Sequence, residues 1–372
     1  MRIIHEELSE DRKIMRERAL TEGVSSYIIK SEQIEEIYGR SNIVLKIFKE
    51  PVKTLARAWW GKRLNKPSVI NDVGDSKKDS TLIENTIVQN IAAFEGLAPR
   101  VYDLVLVESH GIQYAAQVTD YITGIPSEDV ESLQPIIKFI HRNGIYARDL
   151  EPRNVINGKF FDFDGFALPD GYESYLRKKA AEVAHFNLPG DPAYQSIDKL
   201  KLRGLRDITG GTVGSYRVES LKLNKIDFEN KKVLDVGCNL GLYCMEADLR
   251  GAKTVVGVDL PETAKIAREI SNYLCHFNID YLGTDLKRGF SQVPKEKYDI
   301  VFFMAMDLHI GGLSGDVLER CNDILIYESH RGADPAEREK YLKRKFRSVK
   351  YLGGFEDLGG GVRHQYICYK SR

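Results

Sequence analysis

Residues 233–241, VLDVGCNLG, are the most informative part of the second half of the chain. Its first residues, Val233 and Leu234, are apolar, which is typical of a buried strand. Gly237 and Gly241 follow, and without a Cβ they allow a tight turn and a close backbone approach to a ligand. Asp235 lies beside that turn. The pattern predicts the first strand and ligand-binding turn of an α/β domain.

Apolar strands alternate with helical patterns on either side of this stretch. The candidate strands cover residues 232–236, 254–259, 279–284, 299–304 and 323–327. Such alternation predicts a parallel sheet with helices on both faces. Two further apolar segments, 348–352 and 365–369, flank a glycine-rich turn and predict a terminal antiparallel hairpin.

Three kinds of ligand compete for the turn at 237–241. A dinucleotide favours Gly-x-Gly-x-x-Gly, but Asn239 stands where the middle glycine is needed. A P-loop for ATP requires Gly-Lys-Ser/Thr, which is absent. S-adenosylmethionine (SAM) carries no phosphate, and Asp259 at the end of the next strand offers a carboxylate to its ribose hydroxyls.

The same residues resemble motif I of class I SAM-dependent methyltransferases, and the resemblance covers about residues 190–372. It implies that Asp259 binds the ribose and that Asp285, in YLGTDL, binds the adenine amino group. The SAM-binding residues that it implies around the turn are Asp235, Gly237, Asn239 and Gly241.

The methyl acceptor is less defined. Asp307 and His309 follow the fourth strand, Glu328 and His330 end the fifth, and any of them is a candidate base for a hydroxyl acceptor. No Asn/Asp-Pro-Pro-Tyr string and no paired-glutamate loop occurs, which disfavours adenine, glutamine or arginine methylation.

The first half contains a different set of polar residues, in YARDLEPRNVI (146–156) and KFFDFDGF (159–166). In phosphoryl transfer, one carboxylate orients the attacking hydroxyl, and an Asn with a second carboxylate holds Mg²⁺. Asp149, Asn154 and Asp162 fit these roles. Lys46, in the strand VLKIF, is placed to reach the ATP phosphates, and Glu84 on the next helix is placed to fix that lysine or to cap its own helix.

This order of residues resembles a protein-kinase-like fold, with DFD in place of DFG. Ala147 replaces the usual His, Gly23 alone remains of the nucleotide loop, and no Ala-Pro-Glu follows. These departures favour a trimmed small-molecule or glycan kinase. An inactive domain that only scaffolds the second half is the alternative.

Two segments before motif I, AYQSID (193–198) and SYRVESLKL (215–223), extend the resemblance. With motif I they resemble the bifunctional kinase–methyltransferases that terminate O-polysaccharide chains, although in that family the methyltransferase comes first. The resemblance implies that Tyr194 and Arg217 help to hold SAM. It also implies phosphorylation of a terminal sugar followed by methylation of the phosphate, an anion that needs no base.

Composition is neutral in charge, with 54 Lys+Arg and 54 Asp+Glu. This balance excludes an unfocused attraction to nucleic acid or anionic membranes. The absence of a long apolar run favours a soluble, cytoplasmic protein. A basic insertion within residues 51–79 carries Trp59 and Trp60. Two interpretations stay open: a surface loop whose tryptophans pack against the N-terminal domain, and a docking segment for a glycan, a membrane surface or RNA, with nucleic acid not favoured.

The sequence therefore predicts an α/β and α+β protein with a kinase-like domain at 1–190 and a methyltransferase domain at 191–372. The leading hypothesis is a bifunctional kinase and SAM-dependent O-methyltransferase that uses ATP, Mg²⁺ and SAM on a sugar or other small acceptor. The alternative is an RNA or small-metabolite methyltransferase with a kinase-like substrate-binding or regulatory domain. A third reading is a nucleotide-sensing scaffold without turnover.

Overall fold

The computed structural model describes residues 3–5, 21–22, 26–51, 82–147, 150–184, 195–202, 218–357 and 361–370. The chain divides into two compact units, Met1–Tyr172 and Glu173–Arg372. The boundary expected near residue 190 lies outside the described residues, and the assignment of functions to the two domains stays a prediction.

The first unit is built on a six-stranded sheet with the order β1-β5-β6-β4-β3-β2. β1 pairs with β5 in parallel, and all other pairs are antiparallel. The elements are β1 (Ile3–His5), β2 (Thr21–Glu22), β3 (Ser26–Ile29), α1 (Glu32–Tyr38), β4 (Ile43–Pro51), α2 (Leu82–Phe94), β5 (Val101–Ser109) and β6 (Ile112–Asp120).

A helix and a small hairpin complete the described part of this unit. They are the 3-10 turn Val130–Leu133, α3 (Gln134–Asn143), the 3-10 turn Pro152–Asn154, β7 (Val155–Ile156) and β8 (Lys159–Phe160). The segment from Val130 begins as a 3-10 turn capped by Asp129, and the α-helix starts at Gln134 with a proline in its first turn. Gly144 ends α3 with a φ of +62°.

The second unit alternates strands and helices. Its elements are α4 (Tyr172–Ala184), the 3-10 turns Asp198–Leu200, Leu223–Lys225 and Leu286–Arg288, β9 (Lys232–Val236), α5 (Leu242–Leu249), β10 (Thr254–Asp259), α6 (Pro261–Tyr273), β11 (Ile279–Gly283), β12 (Tyr298–Met304), α7 (Asp307–Ile310), α8 (Gly315–Arg320), β13 (Cys321–Glu328), α9 (Pro335–Lys343), β14 (Ser348–Asp357) and β15 (Gly361–Tyr369).

The seven strands from β9 to β15 form one sheet with the order β11-β10-β9-β12-β13-β15-β14. β9 to β13 are parallel, and β15 runs antiparallel to both β13 and β14. The predicted parallel sheet and terminal hairpin are therefore confirmed. β9 lies at the point where the strand order reverses, between β10 and β12. Ligands of open α/β sheets bind beyond the carboxyl ends of the strands at such a point.

The core of the second unit explains the long apolar strands. Phe302 of β12 stacks on Phe228 and on Tyr243 of α5, so side chains cover the face of the sheet on which α5 packs. Phe303, the next residue, stacks on Tyr327 on the opposite face. Because both faces are covered, successive residues such as 233–234 of β9 and 300–303 of β12 are apolar. Among the described residues, no helix combines the length and the apolar character needed to cross a membrane.

Candidate active sites

The turn after β9 is shaped by three residues with positive φ. Gly237 has a φ of +77°, Asn239 of +49° and Gly241 of +81°. Asn tolerates this region better than other side chains, so it forms the turn where a dinucleotide motif would have glycine. The backbone N–H of Gly237 donates to Val258 O at 2.8 Å, which fixes the turn against β10.

Neighbouring side chains also require the two glycines. A Cβ on Gly237 would collide with the Met306 side chain, and a Cβ on Gly241 would collide with the hydroxyl end of Tyr281. Met306, which follows β12, and Tyr281 of β11 therefore both pack against the turn. A third contact comes from Gln195, whose Oε1 accepts a hydrogen bond of 3.3 Å from Leu242 N at the start of α5.

Asp259 is held against the same turn. Its Oδ2 accepts a hydrogen bond from Asn239 N and its Oδ1 accepts one from Leu260 N, both at 2.8 Å. Burial raises the pKa of Asp259, while these two backbone donors lower it. Each carboxylate oxygen has a further lone pair, so the group can still accept hydrogen bonds from two ribose hydroxyls.

Asp235 is buried at the end of β9 and partly unsatisfied. Cys244 Sγ donates to its Oδ2 at 3.5 Å, and its Oδ1 forms no hydrogen bond with any described residue. Burial raises the pKa of Asp235 to about 7. Asn239 Oδ1 is also buried without a hydrogen bond inside the described part of the chain. Unsatisfied oxygens beside a glycine turn fit a ligand with a cationic amino group, as SAM has.

Asp285 follows β11, one strand beyond Asp259. Its Oδ1 accepts a hydrogen bond of 3.0 Å from Lys287 N, and its Oδ2 lies 3.5 Å from Arg288 Nε. The side chain therefore caps a 3-10 turn, and the adenine contact stays a prediction.

The candidate bases for the methyl acceptor differ in their exposure and in their neighbours. His309 is exposed on α7, and its charge acts on the carboxyl of Asp259. Asp307 is buried, accepts a hydrogen bond from the Tyr327 hydroxyl and lies 3.6 Å from His330 Nδ1.

Glu328 is engaged elsewhere. It accepts hydrogen bonds from Gln365 Nε2 at 2.8 Å and from Arg363 Nη1 at 3.2 Å. Both partners belong to β15, so these hydrogen bonds of Glu328 tie β13 to β15. The acceptor-side roles of Asp307, His309 and His330 stay predictions.

In the first unit, the structure brings together the residues expected at a metal. Asn154 Nδ2 lies 3.5 Å from Asp162 Oδ2. Asp164 donates its backbone N–H to Asp162 Oδ1 at 3.3 Å, and its side chain lies 3.9 Å from Lys46 Nζ. Glu84 lies in the first turn of α2. The amide nitrogen of Asn154 faces the Asp162 carboxylate, so the roles of both side chains as Mg²⁺ ligands stay predictions.

Several predicted residues lie outside the described residues: Asp149, Tyr194, Arg217, Trp59 and Trp60, together with the insertion after Pro51. Their predicted roles remain predictions.

Sequence reasoning missed four residues that the structure places at these sites, namely Asp164, Gln195, Tyr327 and Arg338. Asp164 stands in the quoted DFD, so its position was visible without its contact to Lys46. Arg338 Nη1 lies 3.8 Å from Asp307 Oδ1. Arg338 belongs to α9, which is remote in sequence, so no spacing connects the two residues.

The strand order with its antiparallel β15, the glycine turn and the acid at the end of β10 define a Rossmann-like methyltransferase fold. The chain matches arginine N-methyltransferase 1 of Dictyostelium discoideum with 40% identity over 89 residues, which is 23% of this chain and 25% of that protein. It matches the ubiquinone biosynthesis O-methyltransferase of Bradyrhizobium sp. (strain ORS 278) with 34% identity over 129 residues, 35% of this chain and 47% of that one.

The chain thus spans between a quarter and a half of these relatives' length. No protein-family model matches it. Among solved structures, a co-crystal structure of WbdD with the kinase inhibitor LY294002 aligns over 52% of this chain and 48% of that chain, at 19% identity and a TM-score of 0.39.

Proposed function

We infer that the chain is a bifunctional enzyme. Its second unit transfers the methyl group of SAM to an oxygen of a small acceptor. Its first unit transfers a phosphoryl group from ATP, with Mg²⁺, to a hydroxyl of a sugar or another small molecule. The methyl group goes to a hydroxyl of that acceptor or to its phosphate.

The bond between Asp259 and the glycine turn carries the methyl-transfer part. It holds Asp259 next to a turn beside which two oxygens, Asp235 Oδ1 and Asn239 Oδ1, are buried without a hydrogen bond to the described part of the chain. SAM supplies an electrophilic methyl group when bound, and the residues around the turn hold and orient it. The matches to curated methyltransferases support the same donor, and the ubiquinone biosynthesis relative supports an oxygen acceptor.

The strand order of the first unit supports the phosphoryl-transfer part. The central strand β4 carries Lys46, α2 with Glu84 follows it in sequence, and the hairpin β7–β8 separates Asn154 from Asp162. The first unit therefore contains a lysine, an amide and two carboxylates, which are the side-chain types that hold the phosphates and Mg²⁺ in phosphoryl transfer.

The test measures both reactions in the full chain. The protein is incubated with ATP, Mg²⁺, SAM and a panel of glycans, and the release of ADP and of S-adenosylhomocysteine is followed separately. Asp149→Ala is expected to abolish ADP release while SAM affinity is kept. If methyl incorporation falls with it, the phosphorylated product is the acceptor, and if it persists, sequential chemistry is wrong. A protein that binds neither SAM nor ATP contradicts the proposal.

The second candidate function is an RNA methyltransferase, and the basic segment with Trp59 and Trp60 favours it. RNA binding that weakens steeply with salt, and that is lost when both tryptophans are replaced, supports this alternative.

A further inference from the structure

A histidine–carboxylate pair lies beyond the donor turn, at the carboxyl ends of β12 and β13. His330 Nδ1 lies 3.6 Å from Asp307 Oδ2. The Asp307 side chain is 4% exposed and that of His330 is 27% exposed, so a buried carboxylate backs an imidazole that reaches solvent. Neither Asp307 Oδ1 nor His330 Nδ1 forms a hydrogen bond with any described residue.

Two neighbours hold the carboxylate in place. The Tyr327 hydroxyl donates to Asp307 Oδ2, and Arg338 Nη1 lies 3.8 Å from Oδ1. Burial and the nearby Asp307 charge keep the pKa of Tyr327 far above its usual range, so this phenol remains a donor. The Arg338 guanidinium packs over the rings of Tyr327 and Tyr341, at 5.7 and 5.9 Å from their centroids.

The pair also lies near the donor turn. The side chain of Met306, the residue before Asp307, lies where a Cβ on Gly237 would be placed. Ala305 N donates to Glu328 O at 2.8 Å, so the segments after β12 and β13 are joined. β12 separates β9 from β13, which puts about 10 Å between the donor strand and the strand that precedes His330. This spacing leaves room for the donor methyl group and an acceptor.

We propose that His330 is the general base of the methyl-transfer site, with Asp307 as its positioning residue, and that the acceptor is an un-ionised hydroxyl. This inference rests on the proposed SAM site. His330 Nε2 takes the hydroxyl proton while the acceptor oxygen attacks the methyl carbon. A carbon–oxygen bond forms, the carbon–sulfur bond breaks, and its electron pair stays on sulfur. The products are a methyl ether, S-adenosylhomocysteine and an imidazolium beside the Asp307 carboxylate.

The charges of Asp307 and Arg338 disfavour a phosphate acceptor at this position. A phosphate oxygen is already an anion, so a base would add nothing to its attack. The fixed carboxylate of Asp307 would repel such a group, and Asp307 neutralises the Arg338 charge that a phosphate would need. The groups of other elements in contact with the pair are Tyr327 of β13 and Arg338 of α9.

The test compares hydroxyl and phosphate acceptors directly. The full chain with SAM is given methyl α-glucoside, catechol and glycerol, each beside its phosphate monoester, and NMR distinguishes ethers from phosphodiesters.

His330→Gln is expected to lower kcat about 100-fold or more with SAM affinity unchanged. His276→Gln is the matched control, because His276 pairs with Asp248 at 2.8 Å before β11, at the opposite edge of the sheet. Methylation of phosphates alone, or a wild-type rate in His330→Gln, overturns the inference.

The role of Asp307 has its own readout. Asp307→Asn should lower kcat while the KM of the acceptor and the SAM affinity stay unchanged, because the pairing acts on the imidazole and not on the binding of either substrate. If no acceptor of the panel turns over, the NMR shifts of the labelled His330 imidazole at fixed pH decide. Shifts that Asp307→Asn leaves unchanged overturn the pairing. Failure of the whole chain to bind SAM would instead contradict the proposed function, and calorimetry detects it separately.

Discussion

The carboxylate of Asp259 and the backbone N–H of Asn239 are joined by a hydrogen bond of 2.8 Å. This bond connects the end of β10 to the glycine turn after β9. The second carboxylate oxygen is held by Leu260 N, so the group has one orientation relative to the turn. The ribose contact that we propose depends on this orientation.

Asp259→Asn is expected to weaken SAM binding roughly 10- to 100-fold, because charge-assisted hydrogen bonds to the ribose are replaced by weaker ones. Calorimetric titration of the folded variant measures the loss. Asp299→Asn is the control. Asp299 lies at the start of β12 and accepts a hydrogen bond from Lys232 N at the start of β9, so it lies at the amino ends of the strands, away from the turn. Equal SAM affinity in the Asp259 variant and the wild type would remove Asp259 from the site.

Gly241→Ala is expected to destabilise the protein more than Gly311→Ala. Both positions have nearly the same φ, +81° and +77°, but only the first Cβ meets another side chain, the hydroxyl end of Tyr281. That hydroxyl lies 2.6 Å from Ser271 Oγ, so the buried ring cannot move aside freely. The collision should cost about 1–3 kcal/mol beyond the shared backbone strain, measured by urea unfolding.

Tyr281→Phe in the Gly241→Ala background removes the colliding oxygen and should recover part of that loss. If the two alanine variants lose the same stability, the close packing of the turn against β11 is not what requires glycine at 241.

Asp235 should make stability depend on pH. Its pKa is about 7 in the folded protein against 3.8 for an unperturbed group. Between these values only the unfolded chain gives up the proton, so this group lowers the free energy of unfolding as pH rises from about 4 to 7. Asp235→Asn removes the contribution, and its stability relative to the wild type should rise over that window by roughly a few kcal/mol.

Urea unfolding of wild type and variant at pH 4, 5.5, 7 and 8, without SAM, measures this difference. Asp227→Asn is the control, because Asp227 is exposed and accepts a hydrogen bond from Glu229 N that an amide oxygen can also accept. A difference that does not change between pH 4 and 7 would mean that Asp235 is ionised in the folded state.

Asp162→Asn is expected to lower ATP affinity about tenfold or more in the presence of Mg²⁺ and to leave the weak metal-free binding unchanged. The reason is that an amide is a poorer ligand than a carboxylate for this ion. Fluorescent-nucleotide binding with and without Mg²⁺ measures the effect. Asp129→Asn, which keeps its helix cap, should behave as wild type. Equal loss with and without Mg²⁺ would contradict a metal role for Asp162.

Sequence periodicity located the sheet of the second unit well, because strands covered on both faces are continuously apolar. The strands predicted at 232–236 and 254–259 have those bounds in the structure. The strand expected at 323–327 extends to Cys321–Glu328, since pairing with β12 and β15 continues beyond the apolar run.

The donor side could also be predicted from sequence, because the carboxyl ends of parallel strands meet at one edge. Asp235 and Asp259 end adjacent strands, and the structure places them together. The partners of Asp307 could not be predicted from sequence, since Tyr327 and Arg338 come from a later strand and a later helix. Capping by Asp285 was also missed, because a short turn after β11 has no periodic signature.

Calorimetric titration of the full chain with SAM, and separately with ATP and Mg²⁺, measures whether one chain binds both compounds. We expect saturable binding of each at one site, with SAM binding weakened by Asp259→Asn and ATP binding weakened by Asp162→Asn. Absence of heat for both compounds with folded protein would contradict the proposed bifunctional enzyme, and binding of SAM alone would contradict its phosphoryl-transfer activity.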